Sequence, residues 1–238
     1  MPRASERQDE QQDQRQDEHR GSTRERLIRA AERRFAADGV HGAQLREVVR
    51  EAGQANPSAV QYHFGSREGL LEAVMAERQQ RTERALAARL PEPEGQPLDE
   101  LLAALVDAEA TELATERGRA CLRISTQVSH RSGIRERQPH PGLAGTLYWR
   151  LILALEPPLG RVAPEPVRLE RIDLALTLVG AALAERARQL TAGEPTLTGD
   201  EAYLADLVAV CAALLTAPLP RPPKRRAAQP AAEQAAEQ

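Results

Sequence analysis

Residues 22–71, STRERLIRAAERRFAADGVHGAQLREVVREAGQANPSAVQYHFGSREGLL, decide the fold. Leu27, Ile28, Ala31 and Phe35 recur at helical spacing, and Ser22 with Glu25 has the S-x-x-E form of a capping box. Gly39 suits the end of that helix. A second helix is expected over about 45–52, with Leu45, Val48 and Val49 inward, stopping at Gly53. Asn56-Pro57 pairs a good N-cap with a proline at the first helical position, so a third helix starts there and runs to Phe64. Ser66 then caps a longer fourth helix carrying Leu70, Leu71, Val74 and Met75 to about residue 90. Two short helices joined by a tight, Gly-containing turn have the shape of a helix-turn-helix, whose second helix can lie in a DNA major groove. That helix carries Gln61, Tyr62 and His63, groups that reach bases or phosphates where a structural helix needs only solubility.

The composition fits packed helices. Hydrophobic residues make up 41% of the 238, enough for a real core, but aromatics only 3%, so the interior must be built of Leu, Ala and Val. A strand-rich fold recruits more β-branched and aromatic side chains. No stretch alternates at period two and no fixed-period repeat is visible, so an all-α fold is expected. The net charge of −3 excludes a globally basic, histone-like binder. Locally, 22–68 holds eight Arg against six acids, whereas 99–216 holds twelve Arg against sixteen acids; that polarity suits DNA at one end only.

Four segments follow. Residues 1–21 hold almost nothing that can be buried and are expected to be disordered; 22–68 form the helix-turn-helix domain; 69–216 form a larger helical domain. From 217 to 238 the chain is Pro-rich, then basic at Lys224, Arg225 and Arg226, then Ala/Gln-rich, and reads as a solvated tail. PEPEGQPL (91–98) breaks the larger region, and helices are expected beyond it at about 99–116, 118–130, 142–156, 165–191 and 199–216. The last two are apolar on more than one side. Leu169, Ile172, Leu176 and Leu183, widened by Leu174 and Leu178, face one way along the first; Leu204, Leu207, Val208, Cys211 and Leu215 mark the second. Such a helix buries two faces, and a second copy of the chain is the simplest cover for one of them, so these residues are expected at a dimer interface.

The block of RAAERRFAADGV, REAG and AVQYHFGSREGLL resembles the TetR family of bacterial transcriptional regulators over about fifty residues. The resemblance implies a homodimeric regulator, chiefly of the repressor type, that binds a palindromic operator on double-stranded DNA and releases it when a small-molecule effector enters the C-terminal domain. Carried over by position, Asn56, Ser58, Ala59, Gln61, Tyr62 and His63 become candidate DNA contacts, with Arg67 at the start of the fourth helix as a phosphate contact. Thr23, Arg24, Gln44 and Arg46 are further candidates. Two departures stand out: the turn GQANPS is one residue longer than usual, and the second helix lacks the common Thr at its start, leaving Gln44 or Arg46 to take that contact. Leu105, Thr126, Gln127, Tyr148, Trp149, Ile152 and Leu176 are candidate pocket residues, with Ile124 and Val128 also available.

The remaining chemistry is sparse. Cys121 and Cys211 lie 90 residues apart in apolar helical context, the setting of buried thiols. His130 and His140 flank an irregular loop and give no ligand geometry with Cys121. No GxSxG, P-loop, GxGxxG, HExxH or EF-hand spacing occurs, so no catalytic residue, metal or cofactor is expected, and the chain reads as a non-enzyme. No apolar run nears the roughly 18 residues that span a membrane, and no signal-peptide core is visible; a cytoplasmic protein without a membrane partner is expected. The alternative reading is a helical interaction adaptor or ligand carrier with an incidental helix-turn-helix.

Overall fold

The computed structural model describes residues 22–128 and 132–219. The segments expected as tails, apart from 217–219, and His130 lie outside the described residues. Among the described residues every regular element is helical: α1 (22–38), α2 (Leu45–Glu51), α3 (Ala59–Phe64), α4 (Arg67–Arg89), α5 (Leu98–Ala110), α6 (Glu116–Val128), α7 (Leu147–Ala154), α8 (Glu165–Ala192) and α9 (Asp200–Thr216). The fold is all-α, with an N-terminal helix-turn-helix followed by a larger helical domain. No described helix is long and apolar enough to cross a membrane.

The chain builds two apolar cores. The first gathers Leu27, Ile28, Ala31 and Phe35 of α1, Val48 and Val49 of α2, Val60 of α3 and Leu70 and Val74 of α4. It also takes in Cys121 and Ile124 from α6, so it draws on chain well beyond residue 68. The second core holds Leu86 of α4, Leu101, Leu102 and Leu105 of α5, Trp149 and Ile152 of α7, and the inner faces of α8 and α9. At 23 residues α4 is about 34 Å long, which lets its first half belong to one core and its second half to the other.

Polar pairs fasten α4 to the larger domain. Arg78 pairs with Glu109, both buried; Arg81 holds Glu112 through two bonds of 2.8 Å; and Glu77 meets Arg117 of α6. The Glu83 carboxylate accepts the N–H groups of Leu147 and Tyr148 at 2.8 and 2.9 Å, satisfying donors that the start of α7 leaves over.

Two expected helices begin or end differently. The helix expected over 99–116 stops at Ala110 and tightens into a 3-10 turn, Thr111–Ala114, before Thr115 Oγ1 accepts the Gly118 N–H at 2.9 Å and α6 starts. Gly118 permits that close turn, because a Cβ there would strike the Glu112 backbone at 2.1 to 2.8 Å. The helix expected from 142 starts only at Leu147: Gly145 takes φ +74° and Thr146 Oγ1 caps the Trp149 N–H at 3.1 Å.

The face expected at a dimer interface is largely turned inward. Leu169, Ile172, Leu183, Leu207, Cys211 and Leu215 are buried in the core of one chain, while Leu176, Leu204 and Val208 are half-buried. Leu174 (58% exposed) and Val210 (44% exposed) are the large apolar side chains that these two helices leave open.

Candidate nucleic-acid interface

The interface is assembled from the ends of short helices. Asn56 Oδ1 accepts the Ser58 N–H at 2.9 Å and its carbonyl takes the Ala59 N–H at 3.1 Å, so Asn56 closes a turn ahead of α3, which starts at Ala59 instead of the expected Pro57 and whose preceding Ser58 makes no side-chain cap bond. The helix then needs only six residues, because Gly65 (φ +75°) stops it and Ser66 starts α4 by accepting the Gly69 N–H at 3.1 Å. Val60 anchors the inner side of α3 in the first core.

What α3 presents outward is Gln61 and Tyr62, the latter 63% exposed. The Tyr62 ring stands edge-on to His63 with centroids 5.0 Å apart, and the half-buried His63 lies 6.2 Å from Phe64. Asn56 and Ser58 are exposed before α3. Ala59, also expected toward the groove, is only 6% exposed and belongs to the first core; Gln61, two residues on and about 200° round the helix, faces outward instead.

Of the outlying candidates, Arg24 stacks its guanidinium over Phe64 at 5.3 Å, a cation–π contact that ties the start of α1 to the end of α3. Thr23 is turned inward at 6% exposure, and its hydroxyl accepts from Arg26 at 3.2 Å; its place as a phosphate contact does not fit that orientation. Gln44 is the exposed residue preceding α2, with no side-chain cap bond, and Arg46 is exposed two residues on. Arg67 is half-buried and donates through Nη1 to the Val40 carbonyl at 2.9 Å, leaving its other N–H groups for a further acceptor.

Charge accumulates on this end of the molecule by selective pairing. Arg33, Arg34 and Arg50 are neutralised by Glu51, Glu47 and Asp38. Arg24, Arg26, Arg29, Arg46 and Arg67 form no ion pair with any described residue. Arg26 and Arg29 escape a reading based on the recognition helix alone; their signal was their place on the exposed side of α1. Exposed guanidiniums around an outward helix suit a phosphate backbone, which needs positive charge and planar donors.

The candidate pocket residues fall into two places. Leu105, Tyr148, Trp149, Ile152 and Leu176 pack together in or against the second core, and the Tyr148 hydroxyl, buried beside Glu109, has its pKa raised chiefly by burial. Thr126 and Gln127 are elsewhere: they line an open cleft of about 320 Å³ with Ala36 of α1 and Ala181 and Ala184 of α8. Ile124, available for the pocket on sequence, is buried in the first core, and Val128 is exposed. Periodicity could not separate these fates, because α6 is apolar on two sides that face different cores.

Comparison with known proteins bears on the same residues. Residues 27–74 match the family model of bacterial regulatory proteins of the tetR family. No curated protein sequence matches the chain. Among solved structures, a candidate tetR family transcription regulator from Shewanella sp. PV-4 is 18% identical over 79% of this chain and 95% of its own, with a TM-score of 0.52, a likeness of fold. A candidate TetR family transcriptional regulator from Vibrio parahaemolyticus is 20% identical over 79% of this chain and 97% of its own, with a TM-score of 0.49. The helix-turn-helix and the family match coincide on α1 to the first half of α4, so the N-terminal domain is similar to bacterial regulatory proteins of the tetR family.

Proposed function

We propose that the protein is a cytoplasmic, homodimeric transcriptional repressor that reads a palindromic operator with α3 and releases it when a small molecule binds the helical domain. The observation that carries this reading is the outward presentation of Gln61 and Tyr62 on a short helix stopped by Gly65, flanked by Arg24 and Arg67, whose guanidiniums form no ion pair with any described residue. Asn56, Ser58, Gln61, Tyr62 and His63 take the groove side in this reading; Arg24, Gln44, Arg46 and Arg67 take phosphates. Two copies joined through the open parts of α8 and α9, around Leu174 and Val210, place two such helices on one face of a duplex. The effector would occupy the region of Leu105, Tyr148, Trp149, Ile152 and Leu176. Binding there favours a dimer whose recognition helices are no longer one turn of DNA, roughly 34–36 Å, apart. In this reading the protein binds and does not catalyse.

Gel-shift titration of genomic fragments selected by the purified protein tests the site. Tyr62→Ala and Arg67→Ala each weaken binding if α3 and the start of α4 contact DNA; wild-type affinity in both would overturn the assignment.

A further inference from the structure

α6 is shared between the two cores. Cys121 and Ile124 are fully buried with α1, α2 and the first half of α4, while Leu122 is fully buried in the larger core. Polar contacts fasten the same helix to the N-terminal domain at both its ends. Near its start, Arg117 holds the buried Glu32 of α1 through bonds of 2.7, 2.8 and 2.9 Å. Near its end, Gln127 Oε1 accepts the Val40 N–H at 2.9 Å, and Gln127 Nε2 donates to the Arg123 carbonyl at 3.2 Å. Both ends of the amide are thus in use and its orientation is set by partners of opposite kind. The two attachments are ten residues apart, about 15 Å along the helix. A single attachment permits the three-helix unit to swing about it; a pair at that spacing fixes the angle.

Val40 is well placed to transmit that constraint. It is buried in the turn between α1 and α2, and its carbonyl accepts from Arg67, three residues beyond the end of α3. Contacts therefore run without a gap from Gln127 through Val40 to Arg67 at the exit of the recognition helix. Gly39 allows the approach: its φ is +80°, and a Cβ there would lie 3.3 Å from Gln127 Oε1.

We propose that Gln127 is a positioning residue for DNA binding, a side chain of the C-terminal helices that fixes the angle of the helix-turn-helix without touching DNA. The proposal rests on the DNA-binding reading above. Its test uses the full chain, a fragment selected by the wild-type protein, and the Q127A, Q127E and T146A variants, with hydrogen exchange of the Val40 amide followed in parallel. Q127A is expected to bind about three- to tenfold more weakly, the worth of one net hydrogen bond, with faster exchange at Val40 and unchanged exchange at Ile28. Q127E keeps an acceptor oxygen for Val40 and is expected to recover most of the affinity and the protection. T146A removes the α7 cap, lowers stability by a similar amount, and is expected to bind within twofold of wild type. Equal binding by Q127A and wild type overturns the proposal alone, as does an equal loss in T146A. A wild-type protein that selects no fragment overturns the DNA-binding reading and this proposal with it.

Discussion

In the proposed reading Tyr62 is the side chain on which recognition most depends, and its exposure separates binding from folding. Removing the ring should cost DNA affinity by about 1–3 kcal/mol, while urea unfolding moves by less than about 0.5 kcal/mol, as expected of a surface site. A parallel loss of both would mean that the ring packs rather than reads. Cys121 makes the opposite case. Its thiol is buried beside Glu32, with burial the larger influence, and its pKa is pushed up to about 12 despite the Arg81 guanidinium at 3.4 Å. Because the folded chain holds that proton more tightly than the unfolded one, the associated stability is complete below about pH 9 and drains away as pH rises toward 12. At pH 8 a thiol reagent should therefore leave Cys121 untouched until denaturant is added; prompt modification of the native protein would contradict the burial. The sequence already placed both cysteines in apolar helical context, but the partners of Cys121 come from residues 40 and 89 positions away, which no local pattern displays.

The helices were readable from sequence where a chemical stop signal stands beside a periodic run. Gly39, Gly53 and Gly65 all adopt positive φ, Asn56 closes the turn before α3 and Ser66 caps α4, so α1 to α4 lie within two residues of expectation. Ser66→Ala removes the cap of α4 and should lower stability by about 1 kcal/mol in urea titration, because one N-terminal donor of the helix loses its acceptor. The boundaries inside the larger domain were harder to read. Nothing in the run of 99–116 announces that α5 must end at Ala110, since that stop is imposed by the approach of Gly118 to Glu112. The start of α7 depends likewise on Glu83, 64 residues away, which supplies acceptors to its first N–H groups. The candidate pocket suffered for the same reason. Thr126 and Gln127 are on a helix with two apolar sides, and only the packing of α1 and α8 against it shows that they face an open cleft instead of the second core.

For the molecule as a whole, the division into a helix-turn-helix end and a helical body was visible in charge and in motif, whereas the sharing of α6 between two cores was not. The apolar stripes of α8 and α9 led to the expectation of two buried faces, but most of their large residues are taken up by the chain's own core. The open remainder around Leu174 and Val210 makes a defined prediction: light scattering should give the mass of a dimer, and Leu174→Asp with Val210→Asp should give a monomer that keeps its helical spectrum. A wild-type monomer would rule out the symmetric assembly. The most direct test of the whole interpretation is selection of genomic DNA fragments by the purified protein, with Tyr62→Ala as the comparison. Enrichment of one sequence with two inverted half-sites, centred about one turn of duplex apart and lost in the variant, is the predicted result. No enriched sequence, or the same enrichment with and without Tyr62, would contradict it.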